Sequence, residues 1–167
     1  MGVRERDALP RCDPLRKPGG SPLVKLVPST DPILHTRAEP VTDIPSQVLP
    51  HLAEMLEILK EKPGLGLAAP QVEIALRFFL FRATLGEKFR VAINPSFNPY
   101  VLGGRISKQE GCLSFPGRTA FMARWRSIDA TWLSKHAAPQ AANLTGQLAA
   151  VFQHELDHLD GKTIFSQ

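Results

Sequence analysis

The sequence predicts an α+β fold in which antiparallel β-sheets pack around a central C-terminal helix. Apolar residues recur at three- and four-residue spacing from Val48 to Leu59 and again between Gln147 and Leu159, which predicts two helices. Between them lie short β-prone runs bounded by Gly, Pro and Asn. Strands gathered between helices, rather than alternating with them, predict antiparallel pairing with the last helix laid on the sheet.

Taken in order, residues 1–22 mix Arg4, Arg6, Arg11, Arg16 and Lys17 with Glu5, Asp7 and Asp13, several prolines and Gly19-Gly20. This reads as a loosely ordered arm, with 23–167 as a single folded domain. Leu23 to Val27 is a β-prone run ended by turn chemistry at Pro28 to Pro32. The first helix runs from about Asp43; Pro50 marks its first turn or a kink, and Lys60 to Gly64 closes it. In Gly64 to Gln71, two glycines and small residues allow a backbone to approach closely, and Gln71 offers an amide donor. A plain helix-to-strand turn is the alternative there.

Ala75 to Arg82 and Phe89 to Asn94 read as strands, followed by a short run at Tyr100 to Leu102 and another at Arg105 to Gln109. Thr119 to Arg124 and Ser127 to Leu133 read as two more, and Ser134 to Asn143 as a polar connection. Asn143 or Thr145 caps the last helix, and Gly161 stops it.

With 167 residues, 43% apolar and 22% charged, the chain is long enough for one domain with a real core. A net charge of +4 without a block of Lys/Arg predicts a solvated basic surface and no DNA partner. No apolar run reaches membrane-span length and residues 1–22 lack a hydrophobic signal core, so a soluble, cytoplasmic protein is expected. Cys12 and Cys112 stand in such different contexts that a reducing compartment fits better than a disulfide.

The chemistry centres on His154-Glu155-Leu156-Asp157-His158, an H-E-x-x-H inside the last apolar helix. Residues four apart share a helix face, so both imidazoles can turn toward one cation, with Glu155 at the edge of that face. Such a pattern also arises as a merely salt-bridged surface. A catalytic zinc-type site takes three protein ligands and leaves a position for water. Leu159 to Gln167 contain no further His or Glu, and Asp160 points off the face, so the third ligand is expected upstream. The candidates are Cys12, His35, His51, Cys112, His136 and various acids; Cys112 stands out, flanked by Gly111 and Leu113 in a setting where a thiolate and the next N–H can face one site.

Three blocks, Gly66 to Gln71, Glu110-Gly111-Cys112-Leu113-Ser114 and Gln153 to His158, stand in order and together resemble the peptide deformylases; the likeness spans roughly Leu23 to Phe165. The resemblance implies hydrolytic removal of the formyl group from N-formylmethionyl nascent peptides, with release of formate. It implies Cys112, His154 and His158 as ligands of one divalent ion, Fe²⁺ in the cell with Zn²⁺, Ni²⁺ or Co²⁺ as substitutes. Glu155 would move the proton, and the Gln71 amide and Leu113 N–H would stabilise the oxyanion. Family precedent lays the peptide as an added strand beside Gly66 and Gly111, with its first side chain against Leu65, Ala150, Val151 and His154. Arg118 lies one position before the arginine that helps hold substrate in some relatives and Arg124 matches a family arginine better; a purely structural role is the alternative for either. Gln147 and Ala150 depart from the larger apolar residues of many relatives, which implies a wider or more polar pocket. The resemblance is to short forms, some of them from phages. The ribosome is an implied partner, although the C-terminal helix with which many bacterial relatives reach it is not expected here. A metallopeptidase and a non-catalytic peptide binder are the competing readings.

Overall fold

The computed structural model describes residues 24–166; the expected arm, 1–22, and Cys12 lie outside them. Two short helices, α1 (Ile44–Gln47) and α2 (Leu49–Glu61), precede seven strands. The strands are β1 (Gly66–Ala68), β2 (Phe78–Phe81), β3 (Arg90–Pro99), β4 (Arg105–Gly111), β5 (Thr119–Trp125), β6 (Ser127–Leu133) and β7 (Pro139–Thr145). The last helix is α3 (Gly146–Leu159). All pairings between these strands are antiparallel, in a five-stranded sheet of order β1-β2-β3-β6-β7 and a two-stranded sheet β4-β5.

The run Phe78-Phe79-Leu80-Phe81 is buried throughout because the large sheet is covered on both faces. Alternate side chains point opposite ways. Phe78 and Leu80 pack with Met55, Ile58 and Leu59 of α2, while Phe79 and Phe81 pack with Phe152 of α3. Phe152 meets Phe79 and Phe81 edge-on, at centroid distances of 5.1 and 5.4 Å. Such geometry suits the aromatic quadrupoles and fixes the helix on the sheet. The small sheet lies against another side of α3, so the helix is central in fact. Gln153 makes that attachment: its Oε1 accepts from the Trp125 N–H at 2.9 Å and its Nε2 donates to the Trp125 and Ala149 carbonyls at 3.0 and 2.9 Å.

Three expectations are corrected. Residues 24–28 form no strand, although the Val27 N–H donates to the Gln71 carbonyl. Tyr100 to Leu102 is no strand either, because β3 continues to Pro99 and the chain then turns through a 3₁₀ segment at Val101–Gly103. The supposed polar connection holds β7, which pairs residue by residue with β6 along its whole length. Only Leu144 of β7 is buried; β7 is an edge strand defined by its neighbour rather than by its own apolar pattern. At Asn94-Pro95 the register shifts within β3, which runs on to Pro99. Asn94 has φ +49°, and its amide exchanges hydrogen bonds of 2.9 and 2.8 Å with the Val41 backbone. Pro50 sits in the first turn of α2, separated from α1 only by Val48.

Candidate active site

Helix α3 presents His154 and His158 one turn apart, and the chain leaving β4 brings Cys112 to them. Cys112 Sγ lies 3.2 Å from His158 Nε2, and the sulfur and one nitrogen of each ring all fall within 4.8 Å of one another. The upstream residue that completes the set is therefore Cys112. His35 and His136 are exposed and His51 half-buried, and none joins the cluster. Asp160 is turned away, as its position two residues past His158 implied, and pairs with Arg77 at 2.8 Å.

This donor set fits a divalent ion. One thiol and two imidazoles are the ligands of a tetrahedral site with one place left for water or substrate. His154 Nδ1 lies 2.9 Å from Glu110 Oε2, which leaves Nε2 for the cluster; a carboxylate in that place would orient the ring toward an ion. Glu110 is in turn gripped by Arg124, whose Nε and Nη2 donate to its two oxygens at 2.8 Å each, while Nη1 donates to Asp157. Burial would raise the Glu110 carboxyl, but the hydrogen bonds from Arg124 and His154 outweigh it and hold the pKa at about 2. For His154, burial works against the charge, yet the Cys112 and Glu110 contacts prevail and raise its pKa to about 10. His158 goes the other way: burial, then the neighbouring His154, pushes it well below its ordinary value.

Glu155 is 4% exposed, and its Oε2 has no hydrogen-bond partner. Burial, the largest influence, pushes its pKa up to about 7. The carboxylate lies against β1, where a β-carbon on Gly66 would come 2.2 Å from Glu155 Oε1 and 2.7 Å from its Cγ. The close approach expected of this glycine is thus made by the Glu155 side chain. Gly66→Ala is expected to cut turnover about 100-fold by displacing that carboxylate, with the melting temperature little changed; an unaltered rate in a formate assay would show that the carboxylate does not depend on this space.

Gln71, 2% exposed, is fixed at both ends of its amide. Its Oε1 accepts from the Ala68 N–H at 2.9 Å, and its Nε2 points to Ser114 Oγ at 3.0 Å and Cys112 Sγ at 3.4 Å. A cleft of about 580 Å³ opens over these groups. Gln71, Cys112, Leu113, His154 and Glu155 line it, and so do Leu65, Gly66, Gly111, Ala150 and Val151. Arg118 also lines it, exposed and stacked at 4.0 Å over the Phe165 ring.

Arg124 does not line the cleft: it is 5% exposed, with its guanidinium taken up by Glu110 and Asp157. Both acids lie within the motif blocks, yet their pairing with Arg124 spans three elements and had no local signal. Gln147, which the resemblance put at a more polar pocket, lines the cleft, and so does Lys108, to which the sequence assigned no role.

A family model for polypeptide deformylase matches residues 23–167. The peptide deformylase of Chlorobium limicola is 38% identical over 138 residues, covering 80% of this chain and 74% of that protein. That of Halothermothrix orenii is 34% identical over 140 residues, covering 84% and 90%. Among solved structures, peptide deformylase from Thermotoga maritima superposes with a TM-score of 0.79 at 33% identity, over 86% of this chain and 96% of the other. The Synechococcus elongatus peptide deformylase, solved in complex with actinonin, gives 0.80 at 31% identity, over 86% and 79%. With fold, motif order and site geometry in agreement, the chain belongs to the polypeptide deformylase family.

Proposed function

We propose that this chain is a metal-dependent hydrolase that removes the formyl group from the N-terminus of nascent polypeptides, with Cys112, His154 and His158 as the metal ligands. The observation that carries this is the convergence of those three side chains within 4.8 Å, beside the buried Glu155 carboxylate and the Gln71 amide. A divalent ion held there supplies Lewis acidity, which polarises a carbonyl and lowers the pKa of water toward neutrality. Fe²⁺ is the ion proposed for the cell, with Zn²⁺, Ni²⁺ or Co²⁺ able to replace it.

Glu155 takes the proton of the attacking water and delivers it to the amine nitrogen as the C–N bond breaks. Its freedom from hydrogen bonds at Oε2 and its pKa near 7 suit a group that must both accept and give a proton. Gln71 Nε2 and the Leu113 N–H donate to the oxygen that gains charge at the formyl carbon. Ala68 holds the carbonyl end of Gln71, so the amide only has to exchange its long 3.4 Å contact with Cys112 Sγ for that oxygen. The peptide runs beside Gly66 and Gly111, with its first side chain against Leu65, Ala150 and Val151 and with Arg118 at the cleft mouth. Arg124 acts through Glu110 and holds His154 in place. Among the described residues no helix is long and apolar enough to cross a membrane; we place the protein in the cytoplasm, where it meets formylated chains at the ribosome.

The test is formate release from formyl-Met-Ala-Ser by anaerobically purified protein with its metal measured. Chelation should abolish release and added Fe²⁺ or Zn²⁺ restore it, while acetyl-Met-Ala-Ser stays intact. Cleavage of internal peptide bonds without formate would make the protein a metallopeptidase instead.

A further inference from the structure

Strand β4 and helix α3 face each other through two successive side-chain pairs. Glu110 meets His154, and two residues back along the strand Lys108 Nζ lies 2.5 Å from Gln147 Oε1. Alternate strand residues share a face, so Lys108 reaches toward the helix for the same reason as Glu110. Gln147, Ala150, Val151 and His154 lie on one side of α3 and all line the cleft, as does Lys108. At 1.5 Å of rise per residue, Gln147 is roughly 10 Å from His154 along the helix axis. Ala150, between them, leaves that distance open.

The hydrogen-bonding capacity of this far wall is one-sided. Lysine has only donors, so Gln147 must turn its carbonyl oxygen to Nζ and its NH₂ away. The Lys108 ammonium donates to the Gln147 carbonyl, and among the described residues no carboxylate pairs with it. The wall therefore offers spare N–H groups from both residues, against a single remaining lone pair on the Gln147 carbonyl. A hydrocarbon tip laid there displaces water from an ammonium without replacing its hydrogen bonds, which is unfavourable; a methionine thioether, a weak acceptor, replaces them in part. An oxygen acceptor restores them.

We propose that Lys108 and Gln147 select N-formyl peptides whose first side chain ends in an oxygen acceptor, as a sulfoxide, amide or carboxylate does, over apolar side chains of equal length. This rests on the deformylase reading and on the first side chain lying along α3. In an N-formyl peptide the Cα that bears this side chain is two bonds from the reacting carbon, so a chain of three or four heavy atoms starts at His154 and ends at the Lys108–Gln147 wall.

The test compares formyl-methionine-sulfoxide-Ala-Ser with formyl-norleucine-Ala-Ser, on the metal-loaded wild type and on the Lys108→Met/Gln147→Leu double variant. The expected result is a wild-type kcat/KM that favours the sulfoxide, with the preference falling about tenfold or more in the variant, chiefly through KM. The single substitutions Lys108→Met and Gln147→Leu serve if the double variant does not fold. Formate release with the same preference in wild type and variant overturns the proposal and leaves the deformylase reading standing. Failure to release formate from any formyl peptide sinks that reading instead. The wall is then judged by calorimetric binding of free methionine-sulfoxide-Ala-Ser against norleucine-Ala-Ser, where the same tenfold loss supports it and equal affinities reject it.

Discussion

Glu155→Gln is expected to lower formate release by roughly 10²- to 10⁴-fold, the span by which a positioned acid–base group accelerates a reaction. Glutamine keeps the shape of the side chain, so the close fit against Gly66 and the packing of α3 should survive. What it loses is the capacity to hold and return a proton. The carboxylate is buried, its Oε2 unpartnered, and therefore expensive to retain for stability alone. The variant should be at least as stable as the wild type and bind its metal as well, with only turnover gone. Formate assay, metal analysis and thermal melting on one sample separate these outcomes. Turnover retained by the glutamine variant would remove Glu155 from the mechanism and favour a binding protein.

Arg124→Met should be the most destabilising of the single changes considered. The guanidinium is 5% exposed and donates to both oxygens of Glu110 and to Asp157. Removing it takes two charge-assisted hydrogen bonds from Glu110, a largely buried carboxylate left with His154 alone, a change that typically costs about 3 kcal/mol. For a domain of this size that lowers the melting temperature by about 10 °C. Because Glu110 orients His154, metal affinity should also fall by about 10- to 100-fold, as for other outer contacts of metal sites. Adding Glu110→Gln to Arg124→Met removes the stranded charge, and the pair should be more stable than Arg124→Met alone. A melting temperature unchanged in the single variant would mean that the network carries no such strength.

These two residues mark the limits of what could be read locally. Glu155 announced itself, because H-E-x-x-H on an apolar helix puts its side chains where helical periodicity says they go. Arg124 did not, because the same residue type in the same strand can face a peptide or two acids. Its neighbours belong to β4 and α3, and only the packing of those elements chooses. The same contrast runs through the fold. The buried Phe78–Phe81 run and the apolar stripes of α2 and α3 carry their own pattern, whereas β7 is a strand because β6 offers it an edge.

The order of residues by itself determined the α+β class, the helix that bears two imidazoles and a carboxylate, and the need for a third donor earlier in the chain. Periodicity and short-range spacing encode such things directly. The tertiary structure alone decided that Gly66 makes room for Glu155, that Arg124 serves Glu110 rather than substrate, and that Lys108 and Gln147 form a polar wall. Each of these is a contact between residues far apart along the chain, set by how β1, β4 and β5 close upon α3.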